Sequence, residues 1–526
     1  MPTAPPPAGR SLTAAGAVCG LAAGTVALAA GQVGGRLVPH ATPALQALGD
    51  LVIRLTPISV TEAVIGAVGR SDKTLLLSLV LLVAAALMCL VGVLFVRGHR
   101  VAALLGVGLL GLVPVLAVAT APVGRVGPSL LVLLPAGIVG AAVLQVLCGP
   151  LAAARLAAPD VAPAREPQPS LQQVGRRQLL RGGVVLVGAA SFGDVAFRSL
   201  GAPSRAITRR LGTALPVPAT RKPALVDDFA SLGASPLITP MAAFYRIDTA
   251  LEPPQVDPDT WRLTISRDGR TLLHTFSYDE LLAMSTTEAD ITIGCISNEV
   301  GGDLIGTARW QGVPLPRLLA EAGVRTAPRR ITGVSVDGFV ASFPGRYAFD
   351  GRAAMLAVGM NGQPLPVKHG FPARVVVPGL YGYSNAVKWL QDIDVSDASG
   401  LPGFWVDRGW TAAVPVHITS RIDSPAAKGR LTSGATTIAG VAWAPVVGVG
   451  TVEVQVDDGP WQATRLSRSQ GGQLWRQWVL TWQAPPGTHT LRVRATDAAG
   501  TPQSTRRVPV YPSGSSGLHA VTVRVT

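Results

Sequence analysis

Residues 294–302 read GCISNEVGG and contain Cys295, the one cysteine in the last two thirds of the 526-residue chain. Cys19, Cys89 and Cys148 all lie in apolar runs before residue 150. A lone thiol has four uses: an inert buried side chain, an intermolecular disulfide, a nucleophile or a metal ligand. A nucleophile needs a histidine brought to it in space, and only a fold can choose among His274, His369, His417, His489 and His519. A zinc site needs several nitrogen and sulfur ligands at short spacing, and none accompanies Cys295. A soft thiolate can also hold one transition metal whose other ligands come from a cofactor.

The rest of the chain must position that thiol. Hydrophobic residues make up 48% and charged residues 14%, against the ~25% charged of a soluble protein, so part of the chain belongs in a lipid bilayer. The net charge of +14 comes from scattered arginine, with no compact basic patch interleaved with aromatics, so no nucleic-acid partner is expected. Four apolar runs, Ala14–Val33, Leu75–Val96, Val101–Ala121 and Ser129–Cys148, are each close to the ~20 residues that cross a membrane as a helix. Gly16, Gly20 and Gly24 form a stripe on which a second helix can pack, and Pro114 predicts a kink in the third run. Residues 150–181 are polar and end GRRQLLRGG, before a fifth, shorter run, Gly182–Ala190. Arginines 97, 100, 155, 165, 176, 177 and 181 flag the cytoplasmic side, although Arg36, Arg54, Arg70 and Lys73 in the first outer loop run against that rule. Arg176-Arg177-Gln178-Leu179-Leu180 resembles a twin-arginine export signal, whose route, as that resemblance implies, carries proteins folded around a cofactor. The expected location is the bacterial cytoplasmic membrane, multi-pass, with everything after the fifth run outside.

From about Gly201 no run is long enough to span a bilayer. The expected domains are four transmembrane helices (1–149), a cytoplasmic linker with the arginine motif and a fifth transmembrane helix (150–200), a linker (201–240), an α+β domain (241–410) and a β-sandwich (411–526). In the α+β part, WRLTIS and ARVVVPG read as strands and LPRLLAEAG as a helix closed by Gly323. In the last part, short alternating segments split by Gly, Pro and Asp read as sandwich strands.

Three longer segments carry a family resemblance. CISNEVGGDLIGTARWQGVPL and NGQPLPVKHGFPARVVVPGLYGYSNAVKWL resemble the cofactor-binding segments of the sulfite oxidase family of molybdenum enzymes. ITSRIDSPAAKGRLTSGATTIAGVAWAP resembles that family's C-terminal immunoglobulin-like domain, often used for dimerisation. The match covers approximately residues 230–526, and the helical front end looks like a membrane-anchored bacterial branch. The resemblance implies a molybdenum–molybdopterin cofactor, with Cys295 as the thiolate on the metal, His369, Arg374, Lys388 and Asn298 holding the pterin and its phosphate, and Arg246 near the metal as a catalytic group. An Arg fork and a Lys point charge suit a dianionic phosphate.

The departures concern substrate. Sulfite oxidases carry an arginine five residues after the metal cysteine and a tyrosine after the KWL motif; Val300 and Trp410 stand at those pocket positions. A further arginine of the family pocket has no counterpart around YPSGSSG. The implied enzyme therefore performs a two-electron oxo-transfer on a small substrate other than sulfite, with a neutral sulfur or nitrogen oxide, or another small organic substrate, a better fit. The apolar half has only His40 and His99, near opposite membrane faces, so no haem is expected and a separate redox partner is implied. A homodimer through the last domain is a further expectation. The rival reading is a cofactor-free surface binding or scaffold protein derived from the same fold.

Overall fold

The computed structural model describes residues 8–38, 41–56, 60, 72–120, 126–156, 210–219, 222–250 and 253–526. The arginine motif at 176–180 and the fifth run at 182–190 lie outside the described residues. The chain divides into two units, one spanning residues 1–204 and one formed mainly by residues 205–249 and 253–526.

The first unit is a helical bundle of α1 (Ala8–Leu37), α2 (Ala44–Leu55), α3 (Asp72–Val96), α4 (Arg100–Ala119) and α5 (Val126–Leu156). All but α2 are long and apolar enough to cross a membrane. The bundle interior is built from small residues such as Ala15, Ala22, Ala23 and Ala103, while Leu82, Leu105, Leu131 and Ile138 point outward and exposed, the arrangement that suits a lipid surround. The glycine stripe packs on α3. A Cβ at Gly16 would lie 2.9 Å from the Gly92 carbonyl oxygen, and one at Gly20 would strike the Met88 carbonyl oxygen. Pro114 sits inside α4, which continues through it, and α2 is a twelve-residue helix that the apolar runs did not announce.

The second unit holds one mixed sheet, one antiparallel sheet and a sandwich. The first sheet has the order β2 (Thr271–Ser277), β1 (Arg262–Arg267), β10 (Leu390–Ser396), β5 (Arg330–Ser335), β6 (Val340–Pro344), with β1 and β10 parallel. The second runs β3 (Thr287–Gly294), β4 (Ile305–Pro314), β7 (Met355–Met360), β8 (Gln363–Pro364), and β9 (Arg374–Val376) pairs with β7. WRLTIS overlaps β1 and ARVVVPG contains β9, so both segments are strands as read. Leu315–Glu321 is helical, and Gly323 just beyond it takes φ +79°, the left-handed stop its position announced. Tyr278–Met284 is a helix capped reciprocally by Ser277 and Glu280.

The sandwich comprises β11 (Thr419–Ser424), β12 (Arg430–Leu431), β13 (Gly434–Trp443), β14 (Val449–Val456), β15 (Trp461–Ala463), β16 (Arg465–Leu466), β17 (Arg476–Ala484), β18 (Gly487–Asp497) and β19 (His519–Val525). One sheet is ordered β11-β13-β17-β16 and the other β12-β19-β18-β14-β15. Alternate residues of both, among them Ile438, Trp478, Trp482, Val452, Val454, Leu491 and Val523, interdigitate in one core. The sandwich docks on the edge of the second sheet: Thr292 of β3 donates its N–H to the Gln473 carbonyl at 2.9 Å, and Trp475 N–H donates to Thr292 Oγ1 at 2.9 Å. Residues 222–240 carry little regular structure but are packed, with Phe229 and Ala234 buried against Ala439 and Val479.

Candidate active site

β3 delivers Cys295. The strand is buried over its last six residues and stops at Gly294, after which the chain folds back on itself to enter β4. Cys295 N–H donates to the Leu304 carbonyl at 2.9 Å, Asn298 N–H to the Cys295 carbonyl at 3.1 Å, and the Asn298 Oδ1 accepts from Leu304 N–H at 2.8 Å. Asn298 thereby holds the shape of the loop, and the Cys295 side chain ends up buried at 8% exposure.

Opposite it, three basic residues converge from β9 and its flanking turns. His369 ends a short turn after Pro366, and Gly370 follows at φ +112°, where a Cβ would sit 3.1 Å from the Lys388 Cα. That close approach brings the two segments together. Arg374 opens β9, is 4% exposed, donates to the His369 carbonyl at 3.2 Å and lies 5.0 Å over the Trp310 ring. Lys388 Nζ donates to the Ile247 carbonyl at 2.8 Å and pairs with Asp248 Oδ2 at 2.9 Å. Its neighbour Trp389 takes φ +48°, a strained conformation for a bulky residue, anchored by a 2.7 Å bond from its Nε1 to the Val367 carbonyl.

These groups line one cavity of about 100 Å³, together with Tyr245, Asp337, Tyr383, Trp405 and Trp410. Two basic side chains, Arg374 and Lys388, and two carboxyl groups, Asp248 and Asp337, share it. Burial pushes Arg374 down to about 10 and Lys388 down to about 8, the latter opposed by Asp248. Burial, helped by Arg374 and Lys388, pushes His369 down to about 3, so its ring is neutral. Burial also raises the Cys295 thiol, against hydrogen bonds from Ser297, so a cation is needed to draw out the thiolate. The buried His369 Nε2, Arg374 Nε and Trp410 Nε1 have no hydrogen-bond partner. Three orphaned nitrogens in one cavity are costly unless a polar guest meets them.

The other expected site residues divide. Trp410 lines this cavity, its ring 5.3 Å from that of Tyr511. Val300 and Asn298 instead line a second, smaller cavity on another side of Cys295. The Arg246 side chain lies outside both cavity linings and pairs with Asp248 at 2.8 Å. Arg309 forks onto Asp290 and reaches the backbone at Lys222 and Pro223, so it is committed elsewhere. Sequence reasoning missed Asp248, Tyr245 and Tyr381; a carboxylate two residues after Arg246 was the one available signal for the first.

A buried thiol, a buried guanidinium, a buried ammonium and aromatic walls thus line one cavity. Residues 250–405 match the family model described as the oxidoreductase molybdopterin binding domain, which implies the molybdenum cofactor. Human mitochondrial sulfite oxidase is 32% identical over 307 residues, covering 49% of this chain and 55% of that protein. The mouse enzyme is 31% identical over 344 residues, covering 55% and 62%. The uncharacterized oxidoreductase YuiH of Bacillus subtilis is 31% identical over 134 residues, covering 26% of this chain and 64% of that protein. The chain thus spans little more than half the length of the mammalian relatives. Among solved structures, the sulfane dehydrogenase SoxCD from Paracoccus pantotrophus matches at a TM-score of 0.48 and 22% identity, covering 60% of this chain and 90% of that one. Over residues 250–405 the chain is thus similar to the molybdopterin-binding domain of molybdenum-dependent oxidoreductases of the sulfite oxidase type.

Proposed function

We propose that this protein is a membrane-anchored, extracytoplasmic oxidoreductase that carries out two-electron oxo-transfer on a small substrate other than sulfite. The observation that carries this reading is the cavity in which buried Cys295, Arg374, Lys388 and His369 meet, with three buried nitrogens left without partners. When bound, the molybdenum–molybdopterin group supplies oxygen-atom transfer coupled to a two-electron change at the metal. The chain's part is to hold and tune it. Cys295 offers a soft donor, Arg374 and Lys388 offer a fork and a point charge for the phosphate, and neutral His369 offers Nε2. Tyr245 and Tyr383 stay protonated, since burial raises both, so they serve as donors rather than charges. Trp405, Trp410 and Phe339 keep water out of the same cavity.

The membrane anchor is supported by the four apolar helices. The extracytoplasmic side rests on the basic residues of 150–181 and on the twin-arginine-like motif. A separate electron partner follows from the scarcity of histidine in the helical half. The strand order of the last domain is compatible with an immunoglobulin-like module that pairs two copies. The rival, a cofactor-free scaffold, would have to retain three buried nitrogens without hydrogen-bond partners to no use. Elemental analysis of the purified full-length protein decides between them: about one molybdenum per chain supports the enzyme, and none supports the scaffold.

A further inference from the structure

Away from the cofactor domain, two thiols meet inside the helical bundle. Helices α1 and α5 run antiparallel along one seam of small residues. A Cβ at Gly34 would lie 2.7 Å from the Val132 side chain, one at Gly31 would lie 3.7 Å from the Ala136 Cβ, and one at Gly140 would lie 2.8 Å from the Ala27 Cβ. Falling numbers along α1 therefore meet rising numbers along α5. About two turns further along each helix, the same seam brings Cys19 opposite Cys148. Both are fully buried, in one core with Ala15, Ala22, Leu144 and Leu151, and their side chains are hydrogen-bonded to each other. Neither is in a disulfide.

Such a meeting has few uses. Alanine would meet the packing needs of the seam as well. A tetrahedral metal site needs more ligands, and among the described residues no group of three or more His, Cys, Asp or Glu gathers to hold one. A nucleophilic thiol needs room for its reactant, and a fully buried pair offers little. What two facing thiols on closely packed helices can do is join, because side chains already in contact need little backbone movement to reach disulfide geometry. Arg155, about two turns beyond Cys148, is among the arginines read as cytoplasmic, and a reducing compartment on that side keeps the pair as thiols at rest.

We propose that Cys19 and Cys148 form a reversible disulfide that locks α1 to α5, with a small neutral peroxide as the oxidant. One sulfur attacks an oxygen of hydrogen peroxide, the O–O bond breaks, and a sulfenic acid forms as water leaves. The second sulfur displaces a second water and closes the S–S bond. The two sulfurs give up two electrons and both thiol protons, and the peroxide leaves as two waters. A link between α1 and α5 closes a loop that contains α2, α3 and α4, so the oxidised bundle resists unfolding more than the thiol form. Cys89, half-buried on α3, stands outside the pair and serves as the comparison.

The test uses the full-length protein in detergent micelles. It is treated with hydrogen peroxide, the remaining thiols are capped with N-ethylmaleimide, and proteolytic peptides are mapped by mass. The Cys19 and Cys148 peptides should appear joined and lighter by the two thiol hydrogens, and dithiothreitol should separate them. The melting temperature should rise with the link and fall back on reduction, and neither Cys19→Ser nor Cys148→Ser should show the rise. Capping of both cysteines in the peroxide-treated parent overturns the proposal, and so does the joining of either one to Cys89 instead. A Cys19–Cys148 link that leaves the melting temperature unchanged overturns the lock.

Discussion

At the scale of single residues, the site combines groups that water would normally keep apart. Cys295→Ser preserves size and burial but exchanges a soft donor for a hard one. The variant is expected to keep the parent's far-UV circular dichroism and melting temperature, and to lose at least roughly 100-fold in turnover. A serine protein with parental activity would remove the metal-ligand assignment. Lys388 gives a pH signature. Its pKa falls from 10.5 to about 8 because it is buried, so between those values the unfolded chain binds more protons than the folded one. The stability of the cofactor-free protein should therefore rise with pH from about 8 to about 10.5, and the rise should be absent in Lys388→Met. Affinity for a phosphate-bearing cofactor should move the other way, falling above about pH 8 as the ammonium discharges. Thermal melts and cofactor titrations across that range check both signs.

At the scale of elements, two close approaches are exposed to mutation. Gly20→Leu would drive a side chain into the Met88 carbonyl and separate α1 from α3. Overpacking of this kind costs about 1–3 kcal/mol, so the detergent-solubilised protein should melt lower, whereas Gly108→Leu, at a position where an added Cβ meets nothing, should not. Gly514→Ala faces a positive φ and the Tyr381 phenol together. It should cost roughly 1–2 kcal/mol from the backbone alone, read as a lower melting temperature of the purified protein. Much of this level could be read in advance. The glycine spacing announced a close helix contact without naming the partner, Gly323 the helix stop, and alternation the strands β1, β13, β14, β17 and β18. What could not be read were arrangements set by tertiary closure. The sequence between Gly35 and Lys73 has helix α2 without a membrane-length run, and the packed path of residues 222–240 has no periodicity to betray it. At the site, Cys295, His369, Arg374 and Lys388 were legible through motifs. Asp248, Tyr381 and His417 were not, because they reach Cys295 from three segments far apart in the chain and a single sequence holds no trace of that meeting.

At the scale of the whole molecule, the sequence joins a lipid-suited bundle to a cofactor domain through a segment bearing Arg176 and Arg177. Replacing both by lysine keeps the charge and removes only the specific address, so the first four helices should insert normally while the last domain stays on the cytoplasmic side. Protease accessibility in intact cells measures this, and a domain exposed as in the parent would leave a plain electrostatic signal as the explanation. The loop of residues 511–517 belongs to the same scale. Tyr511 stands edge-on to Trp410, Thr411 N–H donates to the Pro512 carbonyl at 3.1 Å, and Ser515 holds the loop of Cys295. An equal-length glycine–serine replacement, which leaves β19 in place, should therefore release molybdenum during gel filtration while the sandwich stays folded. There is a consequence for how the fold closes. The loop behind Cys295 is held by Ser515, which lies 217 residues further along the chain than its partner Asn298, so the wall of the smaller cavity exists only once the sandwich has folded back against β3.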